Sequence, residues 1–220
     1  MPGREVPLVT DEIYHVFNKG IAGQPVFLNQ SYYQRAQDSL FYYRHITPPI
    51  KYSRLFSLHK DDRQDLLDQL EKSRENLVDL ISYCFMPNHF HLLVKQLMDG
   101  GIAKYLSNFA NSYTRYFNTR NERTGPLFQG KFKAVLITSN EQLLHVSRYI
   151  HLNPYSSGIV KTIEELKAYS YSSLAKLSTS KVESRLILDQ FKNVAGYYQF
   201  VFDNADYQKN LENIKHQILE

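Results

Sequence analysis

Two histidines separated by one residue, His89 and His91, are the residues whose spacing points most clearly to chemistry. On a strand, residues two positions apart project from the same face, so both imidazoles would lie side by side, with Phe90 on the opposite face. Two adjacent imidazoles can chelate a divalent cation. Because short motifs often match by chance, the pair alone leaves open whether these are metal ligands or ordinary strand histidines. His15, on another predicted strand, can approach the pair, but its position favours a structural histidine at a sheet edge.

A helix with well-marked ends is predicted between residues 139 and 152. Ser139 and Gln142 have the spacing of a capping box, with Ser139 as the cap and Gln142 as the third helical residue. Pro154 disfavours helical geometry at Asn153, so the helix is expected to end near Leu152. This helix therefore has a defined register, and the faces of its side chains can be predicted.

Tyr149 on this helix is the candidate nucleophile, because the sequence contains no reactive cysteine candidate and no Gly-x-Ser-x-Gly motif. The polar stripe of the helix comprises Gln142, His145, Tyr149 and Asn153. The apolar stripe, expected to pack on the sheet, comprises Leu143, Val146 and Ile150. A phenol with a pKa of about 10 is a poor nucleophile unless a cation lies nearby, and a metal at the histidine pair would supply that charge. Asn153, one turn later, could place its amide oxygen on the same ion. With 17 tyrosines in the sequence, however, the helix pattern alone favours a partly exposed tyrosine that only makes a hydrogen bond.

The elements that must position these residues alternate in a recognisable order. Strands are predicted over residues 14–18, 77–85, 89–96 and 132–138, and helices over 30–44, 60–75, from 101 onwards and 139–152. Without the insertion at about 47–76, the order is β-α-β-β-α-β, which predicts an α+β, ferredoxin-like fold with an antiparallel sheet and helices on one face. The histidine face is then expected to be open. Residues 1–175 would form the catalytic domain, and 176–220 a helical extension with segments at 185–193 and about 206–219.

Composition restricts the function classes further. A net charge of +4 permits a polyanionic partner, and 17 tyrosines among many Lys and Arg residues are typical of grooves that bind nucleic acid, although they are also ordinary core residues. The single cysteine, Cys84, excludes a disulfide framework and is expected to be a buried core thiol. No secretory pattern or membrane-spanning run is evident, so a cytoplasmic setting without a membrane partner is expected.

Several ordered motifs together resemble the HUH-type single-strand DNA transposases, in particular the REP-associated tyrosine transposases with one catalytic tyrosine. The similarity extends over roughly residues 10 to 175, and the ordered set is more specific than any one piece. The matching segments are 14–16 with 19–20, 86–94 (Met-Pro-Asn-His-Phe-His-Leu-Leu-Val), 115–118, 125–133, 149–154 (Tyr-Ile-His-Leu-Asn-Pro) and 171–173.

The resemblance implies a metal site at His89 and His91, with Asn153 as a further ligand and Mg²⁺ or Mn²⁺ as the ion. It also implies that Tyr149 cleaves single-stranded or hairpin DNA through a 5′-phosphotyrosine, followed by strand transfer, in a prokaryotic protein associated with the nucleoid. DNA binding is expected from basic residues near the site. The candidates are Lys19, Arg115, Arg120, Lys131, Lys133 and Arg148.

Three other readings stay open at this point. A domesticated protein could bind hairpin DNA without cleaving it, although the intact motif residues argue against this. A rolling-circle initiator or relaxase would use the same chemistry but usually carries further domains. A zinc hydrolase is disfavoured by the absence of a His-Glu-x-x-His motif. Whether the protein is a monomer or a homodimer is not specified by any of these patterns.

Overall fold

A four-stranded antiparallel sheet forms the centre of the molecule. The computed structural model describes residues 7–177 and 182–210 of the 220-residue chain. The strands are β1 (Ile13–Lys19), β2 (Val78–Met86), β3 (His89–Gln96) and β4 (Lys133–Leu136). They are arranged in the order β2-β3-β1-β4, with each neighbouring pair antiparallel.

Helices connect and cover these strands. The α-helices of the described residues are α1 (Gln30–Tyr43), α2 (Lys60–Ser73), α3 (Gly101–Arg120), α4 (Asn140–Ser156), α5 (Ile163–Lys167), α6 (Arg185–Leu188) and α7 (Val194–Phe202). Short 3-10 helices cover Ile21–Gly23, Tyr52–Ser57 and Ser173–Lys176. With α2 and the second 3-10 helix set aside as the insertion, the order β1-α1-β2-β3-α3-β4 confirms the predicted α+β, ferredoxin-like fold.

The first face of the sheet packs on α1 and α3. Val16, Leu92 and Val94 project from this face and are completely buried against side chains such as Leu40 and Phe109. Burial of these alternate strand positions stabilises the packing of α1 and α3 on the sheet, because apolar area of both the helices and the sheet is removed from water.

The second face is also covered, so the prediction of helices on one face only, with an open histidine face, is wrong. Ile81, Cys84 and Leu93 project from this face into a second hydrophobic cluster with residues of α4 and α7, among them Ile150 and Tyr197. The physical reason is visible in β2, whose side chains are buried almost without interruption, as expected of a strand that is packed on both sides. Cys84 is fully buried, as predicted, and burial raises the pKa of its thiol.

Helix α4 begins as predicted but ends later. The Ser139 hydroxyl accepts a hydrogen bond from the Gln142 amide at 3.1 Å, which confirms the cap. The helix then continues through Pro154 to Ser156, so the expected end near Leu152 is wrong. A proline in the last turn removes only one backbone hydrogen bond, and its own carbonyl accepts the amides of the two residues 159 and 160 in the closing turn.

The chain after residue 182 forms helices at positions that differ from the prediction. Helix α6 covers only the first part of the predicted segment 185–193, and α7 was not predicted. The sequence of α7 is rich in aromatic and β-branched residues with low helix propensity, but Tyr197 and Val201 are completely buried and Asn193 caps its first turn. The predicted helix at 206–219 is present over 206–210, and its remainder lies outside the described residues. The domain boundary at 175 stays a prediction.

Candidate active site

The histidine pair lies at the beginning of β3. In the register of the sheet, His89 lies opposite Lys19 and His91 opposite Phe17 of β1. The two imidazole centroids are 5.0 Å apart, with ring planes at 88°. Phe90 is buried on the other face, in the α1–α3 cluster. The predicted same-face arrangement of the two histidines is therefore confirmed.

A glycine-containing loop holds the turn that precedes the pair. The Gly20 amide donates a 2.7 Å hydrogen bond to the Asn88 carbonyl, and the Asn88 side-chain amide donates to the Gly23 carbonyl at 3.1 Å. A Cβ atom on Gly20 would lie 2.4 Å from the carbonyl oxygen of Gln24, so only glycine permits this close approach. The Lys19-Gly20 motif thus fixes the backbone from which the histidines project.

Each imidazole of the pair has a hydrogen-bond partner at Nδ1. His89 Nδ1 lies 2.6 Å from Asn88 Oδ1, an acceptor, so Nδ1 donates this hydrogen bond. His91 Nδ1 lies 2.9 Å from His15 Nε2. Burial lowers the pKa of His15 to about 4, and burial, followed by the adjacent His89 and His15, lowers the pKa of His91 well below its usual value. His15 and His91 are thus neutral at pH 7.

This donor set fits a divalent cation. Neutral imidazoles whose Nδ1 atoms are held by a neighbouring group are the usual form of metal-ligating histidine, since the second hydrogen bond fixes the tautomer. In the described residues, no group of three His, Cys, Asp or Glu side chains is arranged around a metal position. Further ligands would be oxygen atoms, from an amide such as Asn153 or from a bound phosphate. Two nitrogen ligands suit Mn²⁺ better than Mg²⁺, which prefers an all-oxygen shell.

Tyr149 contacts His91 and His15. Its ring centroid is 5.4 Å from that of His91 and 6.0 Å from that of His15, both in edge-to-face orientations. The side chain is half-buried and packs at the margin of the second hydrophobic cluster. The expectation that Tyr149 faces away from the sheet is wrong, because α7 occupies part of the outer surface of α4 and a wider arc of α4 faces inwards.

The other members of the predicted polar stripe separate into two groups. Asn153 is buried, with 4% of its surface exposed, and its Oδ1 accepts a 3.5 Å hydrogen bond from the Ser157 hydroxyl. Gln142 closes the N-terminus of α4, and His145 lies exposed beside Glu141. The structure thus brings Asn153 inwards together with Tyr149, whereas Gln142 and His145 lie away from the histidine pair at the beginning of the helix.

An open cavity of about 750 Å³ borders the histidine pair. Both histidines line it, together with the exposed side chains of Lys19, Lys131 and Lys133. Lys133 lies opposite Phe17 in the sheet and shares its face, as the alternation along the predicted strand required. These lysine side chains make the cavity beside the histidines positively charged.

The three predicted arginines lie elsewhere. Arg115 and Arg120 line a larger groove between α1 and α3, on the opposite face of the sheet. The Arg148 guanidinium lies 4.4 Å from the ring centroid of Phe200 on α7 and 2.9 Å from His145 Nδ1. Of the six predicted cations, three border the histidine pair, two border the other face and one packs against a neighbouring helix.

Comparison with known families identifies the chain. The model of the family described as "Transposase IS200 like" matches residues 39–153, slightly more than half of the sequence. The chain belongs to this family of transposases. The matched segment extends from α1 to Asn153 and so includes the histidine pair and Tyr149. The family predicted from the ordered motifs is confirmed.

Solved structures support the same fold for this transposase. A REP-associated tyrosine transposase bound to a REP hairpin matches with a TM-score of 0.55 and 12% sequence identity, over 83% of this chain and 88% of that one. At this identity, the match shows the shared α+β fold. No curated protein matches the sequence. None of the helices in residues 7–177 and 182–210 combines the length and apolar character that crossing a membrane requires.

Sequence reasoning missed the histidine that anchors α4 of the transposase. His151 is completely buried, with Nδ1 2.7 Å from the Tyr197 hydroxyl and Nε2 2.8 Å from the Ser173 hydroxyl. Burial lowers its pKa to about 3. Tyr197 in turn donates to Ser147 at 3.1 Å, and Ser173 accepts from the Tyr83 amide at 2.9 Å. This network ties α4 to β2 and to α7. The signal for this network in the sequence is the Tyr-Ser-Ser motif at 171–173, which contains Ser173.

Proposed function

We propose that this transposase is a metal-dependent endonuclease and strand transferase for single-stranded DNA, acting through a 5′-phosphotyrosine on Tyr149. The observation that carries the proposal is the position of the Tyr149 ring, 5.4 Å from His91 and within the same chain. A nucleophile and the histidine pair thereby share one site without a contribution from another subunit, so a monomer contains every group that the proposal requires.

In the proposed reaction, the oxygen of Tyr149 attacks the scissile phosphorus in line. The Tyr149 Oη–P bond forms, the P–O3′ bond breaks, and the phenol proton balances the charge of the released 3′-oxygen. A second 3′-hydroxyl then attacks the phosphotyrosine and restores Tyr149, so the bond energy is conserved without a nucleotide cofactor. A divalent ion held by His89, His91 and Asn153 would screen the phosphate charge and lower the barrier to attack by a phenol.

The other residues of the site orient the DNA. Lys19, Lys131 and Lys133 are exposed beside the histidines, where each can contact a backbone phosphate. His15 holds the orientation of the His91 ring through the 2.9 Å hydrogen bond between them. Tyr149 is half-buried at the margin of the second hydrophobic cluster, so one side of the nucleophile is covered by protein, which would limit loss of the intermediate by hydrolysis.

We take hairpin or repeat DNA to be the substrate class. The similar transposase was solved with a REP hairpin, and the two basic regions of this chain, one on each face of the sheet, are suited to a folded DNA that has both a paired and an unpaired part. The oligomeric state during reaction, monomer or homodimer, does not change the composition of the site.

Covalent capture tests the proposal. A labelled single-stranded hairpin oligonucleotide is incubated with the protein and Mn²⁺ or Mg²⁺, and the adduct is resolved on a denaturing gel. Wild type is expected to form a protein–DNA adduct that disappears with EDTA and in Tyr149→Phe. Tyr155→Phe is the matched control, since it lies on the same helix and its hydroxyl bonds Asp206 instead. An adduct that persists in Tyr149→Phe would refute the nucleophile. Binding without any adduct in wild type would favour a non-catalytic DNA-binding protein.

A further inference from the structure

A large basic groove lies on the face of the sheet opposite to the histidines. It has a volume of about 1750 Å³ and is formed by α1, α3 and the insertion segment 48–56. Its basic side chains are Arg35, Lys51, Arg115, Arg120 and Arg123. Among the described residues that line it, Asp38 is the one carboxylate. The excess of positive charge in this groove is as large as the net charge of +4 on the whole chain, so a polyanion is the occupant with complementary charge.

Arg35 forms no salt bridge in this groove, although the Asp38 carboxylate acts on it electrostatically. Its guanidinium lies 4.3 Å from the ring centroid of Tyr52 and 5.1 Å from that of Tyr116. Its Nε atom is buried without a hydrogen-bond partner, and Arg35 forms no ion pair with any described residue. The nearby Asp38 instead accepts a 2.8 Å hydrogen bond from Gln34. A half-buried guanidinium with an unsatisfied donor is costly, and a phosphate would supply hydrogen-bond acceptors and negative charge for its planar array of donors.

Phe56 of the insertion presents an aromatic surface beside this cation. Its side chain is 59% exposed, and the guanidinium of Arg35 lies 5.7 Å from its ring centroid. Arg63 of α2 lies at the same distance of 5.7 Å. An exposed phenylalanine between two guanidinium groups offers a nucleobase a stacking surface and its phosphate a cation at the same point.

The insertion segment is held in a fixed position. The Tyr42 hydroxyl of α1 donates a 2.6 Å hydrogen bond to the Ile50 carbonyl, and the Tyr52 amide donates to the Tyr43 hydroxyl at 3.1 Å. Leu55, next to Phe56, is almost completely buried, with 1% of its surface exposed. The aromatic surface is therefore ordered before a ligand arrives, which lowers the entropic cost of binding.

We infer that Arg35, Tyr52 and Phe56 form a binding site for an unpaired nucleotide of the DNA substrate, separate from the cleavage site. Arg35 contacts the phosphate, and the base stacks on Phe56, which a paired base inside a duplex cannot do. Polar residues of α3 continue the path of the strand along the groove. They are Asn108, Asn111, Arg115 and Thr119. The inference rests on the proposed function in one respect, namely that the ligand is DNA.

Binding of matched oligonucleotides tests this site. Fluorescence anisotropy is measured in EDTA, so that no cleavage occurs, with a hairpin that carries unpaired nucleotides and with the same hairpin fully paired. Phe56→Ala is expected to weaken binding of the unpaired probe roughly 5- to 150-fold, the range for loss of one stacked base. Binding of the paired probe should change less than about twofold. Arg35→Gln should lower the salt slope of the unpaired probe by about one.

Conservative and remote variants serve as controls. Phe56→Tyr keeps a stacking ring and should bind as wild type does. Tyr207→Ala and Lys192→Gln remove an exposed ring and an exposed cation far from the groove and should have no effect. Thermal unfolding of Phe56→Ala checks that the exposed position leaves the fold intact.

Three outcomes would overturn the inference: equal losses on both probes, no loss in Phe56→Ala, or equally effective competition by poly-glutamate. Its failure is distinguishable from failure of the proposed function. If Phe56→Ala binds normally while wild type forms the Tyr149 adduct, only the proposed groove site is refuted. If Phe56→Ala loses the unpaired probe while wild type forms no adduct, only the cleavage proposal falls.

Discussion

The two faces of the sheet differ in how they hold polar groups. On the histidine face, His91 and Asn153 are buried and connected to neighbours, and α4 and α7 cover the surface around them. On the opposite face, the groove beside α3 is open, and Arg35 in it forms no salt bridge with the described residues. The first arrangement fixes the geometry that bond cleavage needs, and the second leaves charge available for a ligand. The comparison implies that cleavage and recognition can be changed separately by mutation.

The largest effect is expected from His89→Ala. Loss of one of two imidazole ligands should reduce adduct formation by about 100-fold or more, because even changes behind a metal ligand commonly cost 10- to 100-fold. DNA binding in EDTA should be unchanged, since the groove on the other face is intact. The measurement is adduct yield over a Mn²⁺ titration, with His59→Ala, an exposed histidine on α2's N-terminal side, as the control. Equal yields in both variants would contradict a role for His89.

A second prediction concerns the buried network that ties α4 to the sheet. His151→Phe leaves the hydroxyls of Tyr197 and Ser173 without their shared partner. Both hydroxyls keep a second partner, Ser147 and the Tyr83 amide respectively, so the variant loses two hydrogen bonds without leaving a group unsatisfied. At about 0.5–1.5 kcal/mol for each bond, the free energy of unfolding should fall by about 1–3 kcal/mol. Urea denaturation measures this change.

Adduct formation distinguishes the effect of changing this buried network from the effect of changing the groove. It should fall with His151→Phe even where the protein is fully folded, because the variant loosens the helix that carries Tyr149. His145→Phe, an exposed position on the same helix, should leave both stability and adduct yield unchanged. The idea would be abandoned if both variants retained wild-type stability.

Features of the two faces of the sheet were predictable from the sequence only where the pattern that indicates them lies within a short segment. The spacing of His89 and His91, the cap at Ser139 and the order of strands and helices along the chain were predictable, because they follow from patterns within short segments. The covering of the histidine face was not, because it depends on α7, whose sequence has low helix propensity and becomes helical through packing of Tyr197.

The same reason explains the error on α4. A polar stripe was expected to face solvent, yet a helix packed on two sides buries more of its circumference than its apolar stripe alone would indicate. Tyr149 and Asn153 therefore lie inwards. Arg35 was overlooked as well, because its importance comes from the aromatic rings of a distant insertion and not from a motif around it.

The third prediction compares the cations of the two faces. Lys131→Gln with Lys133→Gln should lower the salt slope for a single-stranded probe by about two, since each lysine next to the histidines is expected to neutralise one phosphate. Arg115→Gln with Arg120→Gln should lower the slope by a similar amount for a hairpin probe but leave adduct formation at saturating DNA nearly unchanged. The double variant at the lysines should reduce adduct formation as well. Equal effects of both double variants on cleavage would contradict the separation of the two faces.

The smallest effect is expected at the N-terminus of α4, where the Ser139 hydroxyl satisfies the Gln142 amide. Ser139→Ala removes this cap and should lower the free energy of unfolding by about 1 kcal/mol. Tyr149 lies more than two turns along the helix, and His151 anchors the helix beyond it, so the adduct yield of folded protein should stay within about twofold of wild type, because fraying is confined to the first turn. Ser139→Asp, which restores a cap, should recover the lost stability in urea denaturation. A large loss of cleavage in Ser139→Ala would mean that the cap, and not the buried network, fixes the position of Tyr149.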